Sequence, residues 1–82
     1  MLNFPNLTRI YDASRHCVCF WGYDNVREIA FLVDDTTLTK LNPDMGSDEP
    51  ALLAAFDRHR DRILGLARTL YDGGPQNKYV IS

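Results

Sequence analysis

The first half of the chain alternates between apolar and polar positions, and this period of two predicts β-strands. Short runs of turn residues separate three such segments: residues 8–11, 16–23 and 26–33. Three consecutive strands with short connections are typical of an antiparallel meander. In the middle segment Val18 and Phe20 lie on one face, whereas Trp21 lies on the other. Both faces carry apolar side chains, so another part of the structure must cover at least one of them.

The second half of the chain changes to helical periodicity. Residues 34–41 begin with aspartates and threonines that favour an N-cap, and they predict a short helix. Either Ser47 or Asp48 is predicted to cap a long helix that continues to about Asp72, where a Gly-Gly-Pro sequence would end it. Residues 78–81 would then return to the sheet as a final strand.

Two sets of apolar side chains lie along the predicted long helix. At about 100° per residue, the first set falls within one stripe that would cover the sheet: Leu52, Phe56, Ile63, Leu66, Ala67 and Leu70. The second set forms a ridge about 80° from the centre of that stripe: Leu53, Leu64 and Tyr71. This apolar surface is wider than one sheet contact requires. Either the short helix or a second subunit is therefore expected to pack on the ridge.

These elements predict a single α+β domain over residues 1–82. Its expected architecture is a small antiparallel sheet of three to four strands, covered on one face by one long and one short helix. The 82 residues suffice for one small domain, and 45% of them are hydrophobic, which argues against disorder.

Charge and hydropathy argue against two classes of partner. The formal net charge is -2 and the pI is about 5.5, whereas general nucleic-acid binders carry excess positive charge. The arginines of the long helix do not share one face, since Arg60 points away from Arg58 and Arg62. No apolar run has the roughly 18 to 20 residues of a membrane helix, and the N-terminus lacks the pattern of a signal peptide. We therefore expect a cytoplasmic protein that binds neither nucleic acid nor a membrane.

Cys17 and Cys19 are the two cysteines of the chain, at alternate positions of a predicted strand. Their Cα atoms would be roughly 6.5 to 7 Å apart on one face, at or beyond the range of a disulfide. Free thiols are therefore predicted, with a redox role left open. His16 falls on the opposite face, and two sulfur ligands fall short of the four in a structural zinc site. The sequence accordingly predicts no metal, and it contains no recognisable cofactor or catalytic motif.

Trp21 and Tyr23 continue the cysteine face as an aromatic patch. An exposed apolar patch usually marks an interaction site. The alternative is that the N-terminal segment, with Leu2 and Phe4, folds over the patch and buries it. The patch and the ridge of the long helix are the two candidate interfaces.

His59 and Arg60 are candidate contacts for a ligand or an anion. An imidazole within the apolar stripe suits acid–base or metal chemistry. The sequence favours instead a histidine packed and bonded to its neighbours, because no partner motif accompanies it. Arg60 lies beside Leu53 and Leu64, where a charge needs a partner. That partner could be solvent, a carboxylate of the same chain or of a second subunit, or an anionic ligand.

The sequence also contains motifs that resemble a known family. They are Leu2-Asn3-Phe4-Pro5, Tyr11-Asp12-x-x-Arg15, Val18-x-Phe20 and Glu49-x-x-Leu52-x-x-Ala55-Phe56-x-x-His59-Arg60-x-x-Ile63. Together they resemble DUF1488, a family of small bacterial proteins of unknown function. Cys17 and Cys19 are not part of these motifs. The resemblance implies an α+β domain in the bacterial cytosol, and it implies no catalytic residues.

The function that these observations favour is a non-enzymatic protein-interaction module, binding another protein or itself as a homodimer. The basis is surplus apolar surface on a chain without a recognisable reactive centre. The alternative is a small-ligand or anion-binding protein that uses Arg60 and His59.

Overall fold

The computed structural model describes residues 2–44, 46 and 48–82. Five strands and three helices occur in these residues. Their order along the chain is β1 (Leu2–Asn3), β2 (Arg9–Asp12), β3 (Cys17–Asp24), β4 (Arg27–Asp34), α1 (Asp35–Leu41), α2 (Glu49–Arg58), α3 (Arg60–Leu70) and β5 (Lys78–Ile81).

The strands form one mixed sheet around the β3–β4 hairpin. β3 and β4 are antiparallel, with Phe20 opposite Phe31. β1 and β2 both pair with the other edge of β3, each antiparallel to it. β5 pairs with β4 in parallel, with Leu32 opposite Val80. Parallel pairing follows from the connection, because the chain passes through three helices before it returns beside β4.

The predicted α+β class is confirmed, with helices covering one face of a small sheet. The predicted final strand is β5, but it pairs in parallel with β4, and β1 adds a further strand at the other edge of the sheet. The sheet is therefore mixed and has five strands, where three to four antiparallel strands were predicted. Local alternation could not indicate either pairing, because both depend on where distant segments meet.

The predicted long helix is two helices that meet at His59. Its backbone has φ -108° and ψ 20°, outside the helical region, which breaks the regular geometry. Hydrogen bonding nevertheless continues through the junction. The His59 N–H donates to the Ala55 carbonyl at 3.1 Å, and the Ile63 N–H donates to the His59 carbonyl at 3.0 Å. The junction is therefore a kink in a continuous helical segment.

The kink changes which side of the helix is buried. Ile63 and Ala67 are fully buried in α3, as predicted, but Leu66 and Leu70 are 40% and 42% exposed. Their assignment to the buried stripe was wrong, because it extended the angular positions of α2 along one straight helix. Beyond His59 the half-buried apolar side chains are those of the ridge, Leu64 and Tyr71.

Aspartates cap the first two helices. Asp34 Oδ1 accepts the Thr37 N–H at 2.8 Å and begins α1. Asp48 Oδ1 accepts the Ala51 N–H at 3.2 Å and begins α2. Asp48, one of the two predicted N-caps, is therefore confirmed as the N-cap of α2. The other, Ser47, lies outside the described residues. These caps satisfy amide groups that the first turn of a helix leaves without carbonyl partners.

Aromatic rings fill the core between the sheet and the helices. Phe20 and Phe31 stack with ring centroids 5.5 Å apart. Phe56 of α2 lies against Phe20 at 5.1 Å, and Tyr79 of β5 stacks on Phe31 at 5.6 Å. This row connects α2, β3, β4 and β5, so burial of the rings holds the two layers together.

The N-terminal segment packs on the same side of the sheet as the helices. The Phe4 ring lies 6.0 Å from that of Phe20 and 5.8 Å from that of Phe31. Gly22 makes room for it, because a Cβ there would lie 2.7 Å from Phe4 Cε1 and 2.9 Å from Leu2 Cδ1. The alternative in which Leu2 and Phe4 bury the Trp21 patch is therefore wrong, since both lie on the opposite face.

Candidate functional site

The sheet has a second face, turned away from the helices, which we call the open face. Pairing registers place its residues in rows across the strands: Asp12, Cys17 and Asp34; Ile10, Cys19, Leu32 and Val80; Trp21, Ala30 and Lys78; Tyr23 and Glu28. The hydrophobic core cluster contains none of these side chains, although Cys17 and Leu32 are buried. The described helices pack only on the other face.

The second of these rows is apolar from one edge of the sheet to the other. Leu32 at its centre is 5% exposed, whereas Ile10 and Val80 at its two ends are 54% and 58% exposed. Trp21, in the next row, is half-buried beside Ala30. Contiguous apolar side chains on an uncovered sheet face are typical of a binding surface.

Tyr23 forms the polar border of the open face. Its hydroxyl donates a hydrogen bond to Glu28 Oε2 at 2.8 Å. That hydrogen bond raises the pKa of Tyr23, because ionisation would place a second negative charge beside the carboxylate. Tyr23 therefore stays neutral, and its ring continues the Trp21 patch towards solvent.

The opposite border brings together Asp12, Cys17 and Cys19. The two Sγ atoms are 4.0 Å apart, and one ligand atom from each of the three residues lies within 4.8 Å of the others. Cys17 is buried, while Cys19 and Asp12 are half-buried. Burial, followed by the neighbouring Cys19, raises the pKa of Cys17 to about 12.

Asp12 was missed as a neighbour of the cysteines in the sequence. It reaches them because the β2–β3 pairing places it directly opposite Cys17. The predicted strands, 8–11 and 16–23, left Asp12 in the turn between them, and local alternation does not specify the pairing register. His16, by contrast, ends that turn with a φ of 54° and is exposed, apart from the cluster.

The ridge of the helical layer is used within the fold. Leu53, Leu64 and Tyr71 are half-buried and pack against the core. Tyr71 also donates a hydrogen bond to Asp24 Oδ2 at 2.6 Å and meets the Tyr79 ring edge-on at 5.7 Å. The short helix α1 packs against α2. The ridge and the open face therefore lie on separate layers and form no common surface.

Arg60 is bound within the chain. Its Nη2 donates to Asp57 Oδ1 at 3.0 Å and to the Leu7 carbonyl at 3.1 Å, and its guanidinium lies 4.9 Å from the Phe56 ring centre. Asp57 also receives two hydrogen bonds from Arg9, at 2.8 and 2.9 Å. An anion at Arg60 would thus compete with a carboxylate that is already in place.

His59 lies half-buried at the kink, and its Nε2 atom is buried without a hydrogen-bond partner. No ligand-sized pocket opens in the part of the chain that the structure describes. Arg60 and His59 are adjacent in the sequence, but they do not line a common cavity. Ligand binding there stays a prediction.

The described chain is thus a small α+β domain with a mixed five-stranded sheet, helices on one face and an apolar open face. Its sequence matches the family described as "Protein of unknown function (DUF1488)" over residues 2–82. The chain therefore belongs to the DUF1488 family.

The same fold occurs in the crystal structure of a protein of unknown function from the DUF1488 family of Shewanella loihica PV-4. That structure matches with a TM-score of 0.82, covering 98% of this chain and 90% of that chain, at 16% sequence identity. No curated protein matched the sequence. Among residues 2–44, 46 and 48–82, no helix has the length and apolar character needed to cross a membrane.

Proposed function

We propose that this protein is a non-enzymatic interaction module whose open face binds a second copy of the chain. The observation that supports this most strongly is the apolar row with Ile10 and Val80 exposed at its two ends. Water contact with such a row is unfavourable, and packing two sheets face to face removes it.

The arrangement of side chains favours self-association over an unrelated partner. A two-fold axis parallel to the strands, between β3 and β4, places Ile10 of one copy over Val80 of the other. The same axis places Trp21 over Ala30, a large side chain against a small one. It brings no like charges of the open face directly opposite each other. The face therefore matches itself in both shape and polarity.

The area of the open face indicates how tightly two copies of the chain should bind. Four strands about 4.8 Å apart and up to eight residues long cover on the order of 500 Å², below the roughly 800 Å² per partner of a standard interface. We therefore expect a weak, concentration-dependent dimer with a Kd in the micromolar range. We place it in the bacterial cytoplasm, where a reducing environment keeps the two thiols free.

Val80→Asp tests the proposal by sedimentation equilibrium. The expected result is a folded monomer, because the Val80 side chain is exposed and the new charge would be buried only in the dimer. Val26→Asp is the matched control: Val26 is fully exposed in the β3–β4 turn, so this variant should dimerise like the wild type. Equal association of both variants and the wild type would contradict the proposal.

A double variant tests how the two copies are oriented relative to each other. In the double variant Ile10→Lys/Val80→Asp, the proposed axis brings the introduced lysine of one copy to the introduced aspartate of the other. Association should therefore recover relative to Val80→Asp alone. A double variant that is as monomeric as the single one would contradict this two-fold arrangement.

A further inference from the structure

We propose that Asp12, Cys17 and Cys19 form a binding site for a thiophilic divalent cation, with Zn²⁺ as the reference ion. The site lies at the border of the open face, where β2 pairs with β3. Its ligands come from two strands joined by the turn of residues 13–16, so the backbone already holds them together without an ion.

The distance between the two Sγ atoms fits a single metal ion bound to both of them. Two Zn–S bonds of about 2.3 Å at a tetrahedral angle hold their sulfurs about 3.8 Å apart. Cys17 Sγ and Cys19 Sγ are 4.0 Å apart, so the two thiols need almost no adjustment. A disulfide requires the sulfurs to approach to about 2.05 Å, a much larger movement on a paired strand.

Asp12 supplies a third ligand at the correct place. Its Oδ1 atom accepts hydrogen bonds from the Ser14 hydroxyl at 2.7 Å, the Ser14 N–H at 3.1 Å and the Arg15 N–H at 3.3 Å. These contacts fix the carboxylate beside the cysteines. The other oxygen, Oδ2, faces only the Arg15 Nε at 3.8 Å, in an exposed ion pair that a divalent cation can displace.

The donor set leaves one position open. Zinc is usually four-coordinate, so two thiolates and one carboxylate leave a site for water or an external ligand. Binding replaces two S–H bonds with two Zn–S bonds and releases two protons to solvent. One dication enters as two protons leave, so the net charge at the site stays at about -1. The ion would also join β2 to β3 and stabilise the hairpin.

The test is zinc titration of the reduced protein, by native mass spectrometry and by competition with a chromophoric chelator. The expected result is one Zn²⁺ per chain, seen as the mass of one zinc less two protons, together with a higher Tm. Cys19→Ser, at the half-buried position, should abolish tight binding. Ala13→Ser is the control, because it changes an exposed position of the same turn without altering a ligand or the contacts of Asp12.

Asp12→Asn separates ligation from folding of the turn. An asparagine keeps the Oδ1 acceptor for Ser14 and Arg15 but loses the negative charge, so zinc binding should weaken while the fold persists. Binding should also strengthen with pH, because each bound zinc ion displaces two thiol protons.

All three ligands come from one chain, so the site is complete without a second copy, although Cys19 lies in the row that the proposed dimer covers. The titration should therefore give the same stoichiometry with the Val80→Asp variant as with the wild type. Absence of bound zinc in the reduced wild type would overturn the proposal. Zinc binding that persists unchanged in Cys17→Ser/Cys19→Ser would overturn it as well, because the ion would then bind elsewhere.

Discussion

Asp57 joins strand β2 to the helical layer through two arginines. Arg9 binds both of its carboxylate oxygens and Arg60 binds one of them, across 48 and three positions of the chain respectively. The same contacts give Arg60 a carboxylate partner within the chain. The hydrogen bond from Arg9 lowers the pKa of Asp57, so the folded state favours the ionised carboxylate.

Removing the charge of Asp57 should destabilise the folded protein by an amount that depends on pH. We expect Asp57→Asn to lower the free energy of unfolding by about 0.5 to 1 kcal/mol at pH 7, a modest loss because the pair is partly exposed and screened. A lowered pKa means that this stabilisation is complete above the ordinary aspartate pKa of about 3.9 and is lost as pH falls through the folded value. Urea unfolding of the wild type and of the variant, at intervals from pH 7 to pH 3, measures this difference in stability.

Asp44→Asn is the matched control for Asp57, because it changes the net charge equally at an exposed position without an ion pair in the structure. If Asp57→Asn lowered the free energy of unfolding by the same amount at pH 3 as at pH 7, the shape of the Asp57 side chain, and not its charge, would link β2 to the helices.

Among the strands and helices, two glycines should respond in opposite ways to substitution by alanine. Gly22 lies in β3 against Phe4 and Leu2, where a Cβ has no room. Gly65 lies within α3, where a Cβ would meet nothing within 4 Å. Gly22→Ala should therefore displace the N-terminal segment and cost about 1 to 3 kcal/mol. Gly65→Ala should gain about 0.5 to 1 kcal/mol from helix propensity alone.

Chemical denaturation of the two variants under identical conditions measures this difference. The substitutions are chemically the same, so opposite signs would isolate packing from backbone entropy. If Gly22→Ala were neutral, the N-terminal segment would not pack on the helical side of the sheet as described.

Elements formed by local pattern could be predicted closely. Alternation identified β2, β3 and β4 to within one residue, and the cap at Asp48 marked the start of α2. The kink at His59 could not be predicted, because helical hydrogen bonds continue through it and no glycine or proline marks it. Leu66 and Leu70 were misplaced for the same reason.

At the scale of the whole molecule, the sequence indicated the open face only in part. Trp21 and the cysteines were assigned to one face by alternation, but the apolar row also needs Ile10 and Val80 from β2 and β5. Those two depend on pairing register, which a single sequence does not specify. Asp12 joined the cysteines through the same register. The parts of the candidate sites that lie within one strand were therefore predictable, and the parts that cross strands were not.

Self-association through the open face is the central proposal for this protein, and Trp21 reports on that face directly. Trp21 is the single tryptophan of the chain and is half-buried in the isolated protein. The measurement is tryptophan emission over a concentration range, with the molecular mass followed in parallel by sedimentation. We expect the emission to shift to shorter wavelength as the mass doubles from 9.4 kDa, with one common midpoint. A mass that doubles without a shift in emission, or that stays monomeric at concentrations far above the expected Kd, would contradict it.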